Sequence, residues 1–162
     1  MKFAKWVPVF LLRLLALGGT VAATIVMVTT NDFSQIFGLT FEAKFTSSPT
    51  LIYFVVVNAI ASGYSLIVLL FTSKNWARRV LLVSDTIMTL LLDSSISACL
   101  ALAQVGKNGN SHAGWLPICG QVSNFCDHVE GALIAGFAAF VLYFLLLLYS
   151  FHNVFSLYTL KT

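Results

Sequence analysis

Four apolar stretches, 6–28, 51–71, 80–103 and 132–151, constrain this chain more than any other feature. Each holds about 20 residues or slightly more, enough to cross a ~30 Å hydrocarbon core as a helix. Runs such as YFVVVNAIASGYSLIVLLF do not alternate, as the ~10-residue strands of a membrane β-barrel would. Composition agrees. Of 162 residues, 59% are hydrophobic and 9% are charged, against about 25% charged in a soluble domain. An ordinary cytosolic globule and a disordered chain are excluded. The net charge of +3 is too small and too scattered for a nucleic-acid footprint. The expected fold is all-α, an integral membrane four-helix bundle forming one domain over 1–162.

The connections between spans are 29–50, 72–79 and 104–131. The short one carries Lys74, Arg78 and Arg79, while the ends carry Lys2, Lys5 and Lys161. The two longer ones hold Asp32, Glu42, Asp127 and Glu130 with only Lys44 and Lys107. Six basic residues against two place both termini and the short loop in the cytosol and the longer loops outside. Val21-Ala22-Ala23 would suit a signal peptidase, but the apolar run continues to Val28 and Arg13 interrupts it. A signal-anchor span is the better reading.

Three ionised side chains fall inside spans: Arg13, Asp85 and Asp93. Each costs about 2.5–3.5 kcal/mol at mid-membrane, so each is expected to face the bundle interior and find a partner. Arg13 is eighth in its span and Asp85 sixth, both counted from the cytosolic end. At ~1.5 Å per residue their depths match, so an Arg13–Asp85 ion pair between the first and third spans is expected. Its principal role is to hold the bundle together. The alternatives are a proton or ion relay, and an unpaired Arg13 that snorkels to the interface. Asp85, Thr86, Thr89, Asp93 and Ser97 fall within one arc of a helical wheel. This stripe is expected to be buried against other helices, with Asn58, Ser62 and Tyr64 as partners. Gly18/Ala22, Ser94/Ala98, Ala132/Gly136 and Ala135/Ala139 are small-xxx-small pairs suited to close helix packing, within the bundle or between copies.

Cys119 and Cys126 lie in the second outer loop, where an oxidising exterior favours a disulfide. A metal site with His112 and His128 is the weaker alternative, since the spacing is irregular and the thiols would have to stay reduced. Trp115, Leu116, Pro117, Ile118 and Phe125 make the loop unusually apolar. They either pack on the membrane surface and the other outer loop or form a contact surface for another protein, with Trp115 and Phe125 as its core. Cys99, inside the third span, reads as an inert apolar residue. The chain shows no phosphate loop, HExxH, GxSxG or nucleophile with a base. No catalytic residue, metal or cofactor is expected, and the chain is not expected to be an enzyme.

Arg13, the run YFVVVNAIASGYSL at 53–66, Asp85-Thr86, Gly109-Asn110, Trp115 and ICGQVSNFC at 118–126 occur in order on the matching elements. In this the chain resembles the CASP-like proteins, relatives of the plant Casparian strip membrane domain proteins with a MARVEL-like four-span architecture. The resemblance covers most of the chain. It implies a multi-pass plasma-membrane scaffold that associates with itself and with related four-span proteins. It also implies partnership with secreted cell-wall enzymes, which the Casparian proteins position. Arg13 and Asp85 match the family's intramembrane charges, and Cys119 and Cys126 its outer-loop cysteines. The first outer loop, NDFSQIFGLTFEAKF, lacks the short motif of the Casparian proteins proper, so the resemblance is to a CASP-like relative. Asp93 stands where a small or apolar residue is expected.

The expected function is therefore a non-enzymatic scaffold in the lipid bilayer. The alternative is a small ion or proton transporter or channel using Asp85 and Asp93, although no broken helix or internal repeat supports it. A claudin-like adhesion protein would carry its cysteines in the first outer loop, which has none here.

Overall fold

The computed structural model describes the backbone of residues 3–36, 39–71 and 77–159, and the side chains of 7–30, 44–70, 80–153 and 155. Of the charges on which the expected orientation rests, Lys2, Lys5, Asp32, Glu42, Lys74, Arg78, Arg79 and Lys161 lie outside the described side chains.

Helix α1 (Phe3–Thr29) leads into a hairpin, β1 (Asn31–Ile36) with β2 (Leu39–Lys44). Three long helices follow: α2 (Pro49–Phe71), α3 (Ala77–Asn108) and α4 (Ser123–Thr159). Among the described residues, four segments within these helices are long and apolar enough to span a membrane: Val7–Thr29, Pro49–Leu70, Val80–Asn108 and Ser123–Asn153. The hairpin is antiparallel, pairing Asn31 with Lys44 and Ile36 with Leu39. It adds a small sheet to a bundle that is otherwise helical. It stands at the same end as the 109–122 connection, called the loop end below.

Local chemistry marks the helix boundaries. Pro49 opens α2, where a missing N–H costs nothing. Asn108 closes α3 because Gly109 takes φ +69° and donates its N–H to Val105 O at 2.8 Å, a left-handed helix stop. Within the spans, hydroxyls bond back to their own helix. Thr24 reaches Thr20 O at 2.8 Å, Thr86 reaches Leu82 O at 2.8 Å and Thr89 reaches Asp85 O at 2.7 Å. A satisfied hydroxyl can sit in an apolar belt without an outside partner.

α1 packs on α2 and α4, and α3 packs on the same two helices. Thus α1 and α3 face each other across one diagonal, and α2 and α4 across the other. Two apolar layers fill the interior. The layer toward the loop end contains Met27, Phe54, Ile96, Cys99 and Leu133, and the other contains Ala16, Val57, Leu92, Tyr143 and Leu146. Glycines allow the closest approaches. A Cβ at Gly19 would stand 3.1 Å from Ala139 Cβ, and one at Gly136 2.9 Å from the Phe54 ring. The Ala132/Gly136 and Ala135/Ala139 pairs are therefore used inside the bundle. Gly18, Ala22 and Ser94 face outward.

Candidate functional site

Arg13 and Asp85 meet across the α1–α3 diagonal. Arg13 Nη2 donates to Asp85 Oδ2 at 2.7 Å and to Oδ1 at 3.0 Å. Asp85 is fully buried and Arg13 is 5% exposed. A third group completes the cluster. Tyr64 Oη donates to Asp85 Oδ1 at 2.7 Å, and its ring centroid lies 5.8 Å from the Arg13 guanidinium carbon. The carboxylate is thus bonded by a cation and a phenol, and the cation also lies against an aromatic face. A charge buried this deeply needs such partners.

The other diagonal is crossed as well. Tyr143 Oη on α4 donates to Ala61 O on α2 at 2.6 Å and lies 2.6 Å from Ser65 Oγ. Ser65 follows Tyr64 in sequence, so the two polar bridges are adjacent on α2. Together they form a polar cross that ties all four helices near one level. The second bridge was missed in the sequence. Its signal was a tyrosine in the apolar run FVLYFLLLL, since a buried phenol usually needs a partner.

Asn58 is fully buried and its Nδ2 donates to Phe54 O at 2.9 Å. Its Oδ1 has no partner among the described residues, and neither does Arg13 Nη1. Ser62 donates to Ala59 O in its own helix at 2.8 Å.

Asp93 departs from expectation. It is exposed on the outward face of α3, not buried among the helices, and it has no hydrogen bond or ion pair among the described residues. Helical drift explains the difference. Each step of four residues rotates about 40° past a full turn, so from Asp85 to Asp93 the stripe has turned about 80°, and by Ser97 about 120°. Asp85 and Thr89 are buried and Thr86 is half-buried, but Asp93 and Ser97 have rotated out of the bundle.

At the loop end a disulfide joins Cys119 to Cys126, with 5.7 Å between their Cα atoms. Because α4 begins at Ser123, the bridge ties the connection to the first turn of α4. The connection is clamped to α3 as well. Ile118 N–H and Cys119 N–H both donate to Gly106 O, at 2.9 and 3.2 Å. Asn110 and Trp115 exchange a pair of backbone bonds at 2.8 and 2.9 Å. Trp115, Leu116 and Ile118 are left exposed, Leu116 at 82%. Phe125 sits on α4, half-buried, and lines a largely apolar cavity of about 730 Å³ with Leu51, Ile96, Leu133 and Phe137. At its rim, Lys107 Nζ lies 3.6 Å from Glu130 Oε2. Cys99 is a buried thiol, 3.4 Å from Thr50 O. Among the described residues no three His, Cys, Asp or Glu side chains cluster as a metal site would require.

Residues 4–142 match the family of the Casparian strip membrane protein domain. The chain is 57% identical over 144 residues to CASP-like protein 1C1 of Vitis vinifera, covering 89% of this chain and 91% of the relative. It is 54% identical over 145 residues to CASP-like protein 1C2 of Populus trichocarpa, covering 90% and 89%. It is 51% identical over 153 residues to CASP-like protein 1C1 of Arabidopsis thaliana, covering 94% and 93%. No solved structure matches. With four membrane-length helices and relatives this similar along most of its length, the chain belongs to the Casparian strip membrane domain family, alongside the CASP-like proteins.

Proposed function

We propose that the protein is a non-enzymatic scaffold of the plasma membrane, with both termini in the cytosol. It associates with its own copies and with related four-span proteins to organise a patch of membrane. The loop end faces outward and contacts extracellular partners, cell-wall-modifying proteins among them. The observation that carries this reading is how the intramembrane charge is used. Both Asp85 oxygens are engaged within the bundle by Arg13 and Tyr64. The acid fixes the order of the helices and is not free to carry an ion. The outer surface, by contrast, keeps small and polar residues exposed at Gly18, Ala22, Asp93 and Ser94. The exposed, disulfide-clamped Trp115, Leu116 and Ile118 supply an apolar contact beyond the membrane. A transporter would need Asp85 and Asp93 on one path, but one faces the interior and the other the outside.

The test is single-molecule photobleaching and lateral mobility of the tagged protein at the plasma membrane, for wild type and Asp85→Asn. Immobile multimeric clusters that the substitution disperses or mislocalises support the scaffold. Freely diffusing monomers in both overturn it. Ion flux in liposomes, abolished by Asp93→Ala with assembly intact, would establish the transport reading instead.

A further inference from the structure

Asp93 sits at the middle of the 29-residue span Val80–Asn108, exposed on the outward face. A carboxyl group there meets hydrocarbon unless another protein covers it. Only a membrane-spanning partner reaches that depth. The residues around it define what fits. Thr86, Leu90, Asp93, Ser97, Leu100 and Gln104 follow a spacing of four and three in alternation, the seam of a left-handed helix pair. From Leu90 to Gln104 all five are exposed.

We infer that this face of α3 is the contact between two copies of the chain, with Asp93 as the polar group that fixes its register. The inference rests on the scaffold reading and names its surface. Two copies in one membrane share an orientation, so a two-fold axis along the membrane normal brings identical depths together. In a parallel pair, Asp93 of one copy enters a hole bordered by Leu90, Asp93, Ser94 and Ser97 of the other. That hole offers two hydroxyls. Ser94 Oγ accepts from Tyr53 Oη at 3.4 Å, and its own proton has no acceptor among the described residues. Neither has that of Ser97. Each can donate to a carboxyl oxygen of the facing Asp93, and the symmetry repeats the bonds. The small side chains of Ser94 and Ser97 allow the two backbones to approach closely. The seam thus supplies hydrogen-bond acceptors and donors at one depth within the second copy itself.

The test is oxidative cross-linking of the full chain in membranes of a non-plant host, where no relative is present. Leu100→Cys lies seven residues from Asp93 on the same seam, and Ile60→Cys on the outward face of α2 is the control. Intact Cys119–Cys126 pairing verifies folding in every sample. The expected result is a cross-linked dimer for Leu100→Cys and not for Ile60→Cys. Adding Asp93→Leu reduces the dimer about tenfold, while Asp93→Asn, which keeps a hydrogen-bonding group, stays within about threefold. Equal cross-linking at both cysteines, or indifference to Asp93→Leu, overturns this surface. The scaffold then survives if photobleaching still reports assemblies. Absence of any assembly overturns both. Cross-linking that appears only when a second plant membrane protein is added overturns the two-copy contact and points to a partner helix bearing a cation.

Discussion

Asp85 accepts from Arg13 and Tyr64 where water does not reach, so losing one partner strands the rest. Arg13→Ala or Asp85→Leu is expected to cost about 3–5 kcal/mol, because an uncompensated charge remains buried. Combining Arg13→Met with Asp85→Leu should recover most of that loss. Tyr64→Phe removes one hydrogen bond to a charged group and should cost about 1.5–3 kcal/mol. Denaturant unfolding of the detergent-solubilised variants, read as a mutant cycle, checks all three. The pair could be read from sequence because depth is a one-dimensional count from the basic end of each span. Asp93 could not, because its direction depends on an angular drift that a broad polar arc conceals. Tyr64 was visible only as one of several possible partners for the stripe on α3.

Among elements, the connection between α3 and α4 has the most to lose from small changes. Replacing Cys119 and Cys126 by serine, or reducing the disulfide, opens a short loop whose closure contributes about 2.5 kcal/mol on the chain-entropy model. Thermal unfolding with and without reductant measures the difference. Gly109→Ala puts a side chain into left-handed backbone and its Cβ 2.7 Å from Trp115 O. It should cost at least about 1–2 kcal/mol. Helix contacts admit a sharper contrast. Gly136→Val drives a side chain into Phe54 and should destabilise by about 1–3 kcal/mol. Gly18→Val meets open space and should change stability by less than about 0.5 kcal/mol, as the same unfolding assay will show. The four helices were legible because 20 apolar residues leave few alternatives. The β1–β2 hairpin was not. The alternation in LTFEAK is short, and a two-stranded hairpin is marginal by itself, so nothing local set it apart from a loop.

For the whole molecule, orientation is the first thing to establish. A glycosylation acceptor inserted near Gly120 should be modified, and one inserted in 72–79 should not, as a gel shift in a eukaryotic host will report. The opposite pattern would invert the molecule. The helices also differ in how far they run past their apolar stretches. Those stretches, 6–28, 51–71, 80–103 and 132–151, are alike in length, but α3 continues to Asn108 and α4 begins at Ser123. The added turns carry exposed Gln104, Lys107, Asp127 and Glu130, so they do not lengthen the hydrocarbon-facing belt. At 1.5 Å per residue, residues 104–108 add about 7 Å to α3 and residues 123–131 about 13 Å to α4. The disulfide-clamped connection is thus carried on a rigid two-helix stalk, and whatever docks on Trp115 and Leu116 is held at a set distance from the lipid.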